Sequence, residues 1–153
     1  MQINILVEHG EDKVSQLDLE GLITFVLREM KLPESTDVSL TFVTNDRIHE
    51  LNRDYRGMDR PTDVLSFECD NRPFEGEDVD EAEEFELGDV VIATDVADAQ
   101  TREFGTTFEE EVTLLTVHGL LHLCGYDHIE DDEAKIMEAL EDKLITAWNE
   151  SRA

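Results

Sequence analysis

Long apolar runs are missing from this 153-residue chain; each is short and broken by charge, and none approaches the roughly 20 residues that cross a bilayer. The first residues, Met1 to Lys13, lack a basic start, an extended apolar stretch and a small-residue cleavage site, so no secretory leader is expected. The expectation is a soluble, cytoplasmic protein with no membrane partner. Cysteine is scarce as well. Cys69 and Cys124 are the only two, which fits a reducing compartment and excludes a disulfide framework, with a single Cys69–Cys124 bridge left as the alternative. Three prolines and no Ser- or Pro-rich stretch leave nothing to divide the chain. One domain over residues 1–153 is expected, large enough to bury a core without covalent staples.

Positive charge is the scarcest commodity: 12 Lys and Arg stand against 39 Asp and Glu, for a net −27. Such a surface repels polyanions at long range and argues against general nucleic-acid binding, so no DNA partner is expected. The imbalance is uneven. Arg47 to Arg72 holds five basic and six acidic residues, net −1, and leaves −26 to the remainder. An anionic substrate is therefore expected at that segment or at a bound cation, since a Debye length of about 8 Å at physiological salt hides a distant acidic face.

What is present reads as alternating elements. Ile3 to Val7 is β-prone, and Leu19, Leu22, Ile23, Val26, Leu27 and Met30 then recur at helical spacing, with Ser15 paired with Asp18 as the cap and Pro33 as stop. A strand through Val38, Leu40 and Phe42 runs into Thr44-Asn45, the N-cap signal of a short helix through Ile48 and Leu51. Gly57 and Pro61 punctuate the next stretch, so a turn is expected to carry Arg56, before a strand at Val64 to Phe67. Eight of the twelve residues from Glu75 to Glu86 are acidic, the composition of a solvated, mobile loop. Leu87 to Ala93 reads as a strand, Asp95 to Phe104 as a helix, and Thr107 to Leu123 as a longer one opened by a Thr107/Glu110 capping box. A last helix, Asp131 to Trp148, places Ile136, Leu140, Leu144 and Ala147/Trp148 on its buried face. The order predicts an α+β fold. Its single domain holds a four-stranded mixed sheet, parallel early and antiparallel across the acidic loop, packed with about five helices around a central His-bearing helix.

The chemistry concentrates in that central helix. Apolar nearly all round from Val112 to Cys124, it is interrupted by His118 and His122, four apart and hence on one face. Gly125 ends the helix and lets Tyr126-Asp127 return His128 to the same place. His-x3-His-x5-His is the spacing of the metzincin zinc motif, in which three imidazoles hold Zn2+ and a fourth position stays open. Two alternatives stand beside this: core histidines bonded to backbone carbonyls, or a closed structural zinc site with a fourth ligand from Cys124, Cys69, His9 or His49. One departure is chemical. Metalloproteases with this spacing place a glutamate general base directly after the first histidine, and here that residue is Gly119, which suits close approach of a neighbouring element or substrate instead. Asp127 is a candidate for fixing a histidine tautomer, although an acid ahead of a helix has a blander explanation.

Three segments together, His118-Gly-Leu-Leu-His122-Leu-Cys-Gly-Tyr-Asp-His128, Tyr55-Arg-Gly-Met-Asp-Arg-Pro-Thr-Asp-Val-Leu-Ser-Phe67 and Leu87-Gly-Asp-Val-Val-Ile92, resemble the YbeY family of bacterial endoribonucleases. The resemblance implies zinc-dependent cleavage of single-stranded RNA in ribosomal RNA maturation, including the 3′ end of the small-subunit RNA, and in ribosome quality control. It implies ribosomal particles as partners. It also implies His118, His122 and His128 as the metal ligands, with Arg56 and Asp89 as functional residues. A guanidinium beside a metal is chemically apt, because it grips a phosphate with two hydrogen bonds. Either water or the RNA 2′-hydroxyl serves as nucleophile on this reading. The rivals are a zinc peptidase, favoured by histidine spacing and disfavoured by Gly119, and a non-enzymatic ribosome-assembly module with a structural zinc.

Overall fold

The structure is a computed structural model that describes residues 1–69, 85–127 and 129–152. Its elements are β1 (Gln2–Val7), α1 (Glu11–Val14), α2 (Leu19–Glu29), β2 (Thr36–Val43), α3 (Asn45–Arg56), β3 (Val64–Glu68), β4 (Phe85–Ala93), α4 (Thr94–Phe104), α5 (Phe108–Leu123) and α6 (Asp131–Arg152). The four strands form one mixed sheet in the order β1-β2-β4-β3, with β1, β2 and β4 parallel and β3 antiparallel to β4. The expected α+β architecture is therefore what the chain adopts. Among the described residues no helix is long and apolar enough to cross a membrane.

Local chemistry accounts for most of the boundaries. The Asp18 carboxylate accepts the Gly21 N–H and starts α2, and the Thr44 hydroxyl accepts the Arg47 N–H and starts α3. At α5 both halves of the capping box form, Thr107 Oγ1 with the Glu110 N–H and the Glu110 carboxylate with the Thr107 N–H, each at 3.1 Å. Alternation then decides the faces of the sheet. Val38, Leu40, Phe42, Val90 and Ile92 point into the main core beneath α2, α5 and α6, whereas Val43, Leu65, Val91 and Ala93 meet Ile48 of α3 on the other face.

Sequence reasoning needs correction at four places. The one-turn helix α1 was not foreseen, because four residues carry no readable period. Helix α3 continues to Arg56, so the arginine sits on its last turn and Gly57, at φ 70°, supplies the left-handed cap. Strand β4 begins at Phe85, so Glu86 belongs to the sheet; the rest of the supposed acidic loop, residues 75–84, lies outside the described residues. In α6 Leu144 and Trp148 are buried as expected, but Met137 and Glu141 complete the buried stripe in place of Ile136, which is exposed, and Leu140, which is only partly buried. The two thiols form no disulfide, and Cys69 Sγ lies 3.1 Å from a Glu86 carboxylate oxygen.

Candidate active site

Helix α5 crosses the main face of the sheet with Val112, Leu115, Val117, Leu120, Leu121 and Leu123 buried. Each such side chain contributes about 1.5–3 kcal/mol of burial before entropy is counted, so the helix is rigidly seated. Its C-terminus is a Schellman motif: the Gly125 N–H bonds the His122 carbonyl and the Tyr126 N–H bonds the Leu121 carbonyl, each at 3.0 Å, with Gly125 at φ 99°. That turn points the Tyr126 carbonyl back at the His122 ring, whose Nδ1 donates to it at 2.9 Å. A carbonyl only accepts, so the proton of neutral His122 sits on Nδ1 and its Nε2 carries a lone pair. His118 Nδ1 is engaged in the same sense by the Glu141 carboxylate at 2.5 Å.

The two Nε2 atoms consequently converge, 3.0 Å apart. Facing lone pairs repel unless a proton or cation lies between them. A tetrahedral ion bound at about 2.0–2.1 Å from each nitrogen would hold them about 3.3 Å apart, so the pair suits one shared ion. His128 lies outside the described residues, and among those described no third metal-ligating side chain completes the cluster. The donor set fits a metal ion: two preset imidazoles of a three-histidine motif.

Around the pair opens a cleft of about 500 Å³ lined by Arg56, Asp63, Ser66, Glu68, Tyr126 and Asp127 among others. Arg56, from the end of α3, thus shares one cavity with His118 and His122. Asp63 is tied down: one oxygen accepts the Val64 N–H at 2.8 Å and the other the Gln100 amide at 3.2 Å. Asp127 lines the cleft, but the two described rings take their Nδ1 partners elsewhere.

Gly119 is accounted for by its surroundings. A β-carbon there would lie 2.6 Å from Val90 Cγ1 and 3.2 Å from Ser66 Oγ, so α5 packs against β4 and β3 with no room for a side chain. The contact is also bonded, since the Ser66 hydroxyl donates to the Gly119 carbonyl at 3.0 Å. The position that holds the glutamate base in metzincins faces the sheet here and is closed.

Asp89 is placed apart from the histidines. It pairs with Phe67 in β3 and Ser39 in β2, one residue from Val90, and strand alternation turns it to the opposite face. There it lines a separate groove with Arg47, Leu51, Tyr55 and Phe67 beside α3. Glu141 was the residue missed. A lone acid among Met137, Leu144 and Trp148 at spacings of four, three and four was the available signal, obscured by the competing stripe through Ile136 and Leu140.

Comparison with known proteins gives a consistent result. A family model described as Endoribonuclease YbeY matches residues 4–149. A protein named Endoribonuclease YbeY from Thermoanaerobacter sp. is 40% identical over 159 aligned positions, covering 98% of this chain and 100% of its own. One of the same name from Brevibacillus brevis is 45% identical over 152 positions, covering 94% of this chain and 95% of its own. Among solved structures, the solution structure of TM1509 from Thermotoga maritima superposes with a TM-score of 0.62 at 35% identity, covering 99% of this chain and 92% of that one.

Proposed function

The chain belongs to the YbeY family of endoribonucleases, and from that premise we propose that it cleaves single-stranded RNA in the cleft between α5 and β3, acting in ribosomal RNA maturation and ribosome quality control. The observation that carries this reading is the convergence of His118 Nε2 and His122 Nε2, 3.0 Å apart, in the cavity that Arg56 also lines. His118, His122 and His128 would hold one ion, with zinc the choice of an all-imidazole set. Bound there, the ion supplies Lewis acidity toward a phosphodiester or a water molecule.

The chain's own groups do the rest. Arg56 presents a planar fork that takes two non-bridging phosphate oxygens at once and offsets the charge that develops as the bond breaks. The Ser66–Gly119 bond and the buried α5 interface keep the imidazoles fixed while the substrate moves, and pre-set groups act without reorganising. An acidic chain gains little RNA affinity from its own field. A ribosomal particle that supplies the basic surface accounts for recognition. A peptidase is disfavoured, because a carboxylate at position 119 has nowhere to go.

The test is incubation with unstructured RNA and with unstructured protein, each with and without chelator. RNA cleavage that chelation abolishes and zinc restores is expected, with the protein substrate intact. Proteolysis, or cleavage indifferent to chelator, would overturn the assignment. Product ends identify the nucleophile: a 2′,3′-cyclic phosphate marks attack by the 2′-hydroxyl and a 3′-hydroxyl marks attack by water.

A further inference from the structure

Helix α6 buries a carboxylate on an otherwise apolar row. Glu141 is 7% exposed, between Met137 at 1% and Leu144 at 3%. An ionised acid is costly to place there unless a partner compensates it. Its one hydrogen-bond partner among the described residues is His118 Nδ1. The other histidine of the pair is served differently, by the neutral Tyr126 carbonyl from the next turn of its own chain segment. The two rings are thus preset by unlike acceptors, one charged and from a separate helix, the other neutral and local.

We propose that Glu141 is a positioning residue for the metal centre: it holds His118 in the Nδ1–H tautomer, aims its Nε2 at His122 Nε2, and strengthens that nitrogen as a donor to the ion. The inference rests on the three-histidine metal reading and adds to it a residue on α6. The physical reason is twofold. A free imidazole prefers its proton on Nε2, the atom needed for binding, so an acceptor at Nδ1 removes the cost of switching tautomer. A negative acceptor also pushes electron density through the ring, which a carbonyl does less well. Because Glu141 belongs to α6, docking of that helix on α5 becomes part of building the site.

Two variants of the full chain separate these effects. Glu141→Gln keeps an acceptor oxygen and removes the charge; Glu141→Leu removes both at similar volume. Zinc affinity is measured on metal-stripped protein by competition with a chromophoric chelator, and the ring-nitrogen shifts of His118 are read by NMR in the metal-free chain. Glu141→Leu should bind zinc ~10–100-fold more weakly, and His118, but not His122, should lose the Nδ1–H pattern. Glu141→Gln should keep the tautomer and fall between. Wild-type affinity in both variants, even with a lowered melting temperature, would make Glu141 a structural residue and overturn the proposal while the metal reading stands. A wild-type chain that takes up no zinc would overturn the metal reading and this inference with it. Should Glu141→Leu fail to fold, the Glu141→Gln affinity decides alone, a value equal to wild type counting against the proposal.

Discussion

The two faces of the sheet are built to different tolerances. On one, α5 lies so close to β4 and β3 that a glycine is needed at position 119, and the histidine cleft opens where this packing meets β3, the outermost strand among the described residues. On the other, α3 seats Ile48 against Val43, Leu65, Val91 and Ala93, with Val96 of α4 packed alongside, and beside it runs a groove with exposed Tyr55 and the carboxylate of Asp89. On the first face the two imidazoles, the Ser66 hydroxyl and the Asp63 carboxylate are fixed by named hydrogen bonds; the second presents a more open surface. Precision is thus concentrated where charge must be controlled to within an ångström, and Arg56, at the end of α3, is the residue that carries a cation from the loose face to the tight one.

The largest expected effect is that of breaking this division at Arg56. Arg56→Ala should lower kcat for RNA cleavage by ~10²–10³-fold with an unchanged unfolding midpoint, as for loss of a transition-state donor, whereas Asp89→Ala should leave cleavage of a short unstructured RNA within about twofold. Equal losses in the two variants would erase the distinction between cleft and groove. Next comes Gly119→Ala, expected to cost about 1–3 kcal/mol in denaturant unfolding because Val90 must shift. A neutral result would show the tight face to be slack. On the loose face, Thr44→Ala removes the cap of α3 and should cost about 1 kcal/mol, read in the same assay.

The smallest effect belongs to neither face. Asp98 is held below its ordinary carboxylate range first by the hydrogen bond from Lys13, 3.0 Å away, and further by Arg102. A depressed carboxyl group stabilises the fold at pH above its unfolded value, and that contribution disappears as pH falls through the folded one. The small stability gap between the wild type and Lys13→Ala should therefore be present at neutral pH and close below the carboxylate range; a gap that widens in acid would reverse the assignment.

The parts of this molecule that were legible in sequence are those fixed by neighbours in the chain. Thr44, Thr107 with Glu110, and Gly125 announce helix ends through bonds reaching at most a few residues, and the strands announce themselves by alternation. The histidine face was legible for the same reason, since two imidazoles four apart must share a side. Position 119 was half legible: the missing glutamate was plain, but that Val90 and Ser66 press against the glycine depends on a crossing no local pattern encodes. Glu141 was illegible because α6 offers two plausible stripes and a buried acid is credible only when its partner on another helix is known. The placement of Asp89 was illegible in a further way. Its motif adjoins Val90, which lies under the histidine helix, yet one step along a strand reverses the direction of a side chain.

Strand β4 carries an extra residue opposite the step from Asp37 to Val38, so that Leu87 and Val90, three apart, both enter the main core. Gly88 sits at that irregularity with φ 142°, and a β-carbon there would lie 2.3 Å from the Phe67 carbonyl oxygen and 2.9 Å from Leu123, the neighbour of His122. The fit works like a keyway: β4 in any other register would present a side chain where Leu123 must seat. On the proposed metal reading, uptake of the ion during refolding would then report when the strands have found their alignment, making the histidine pair an indicator of completed folding as well as a proposed place of chemistry.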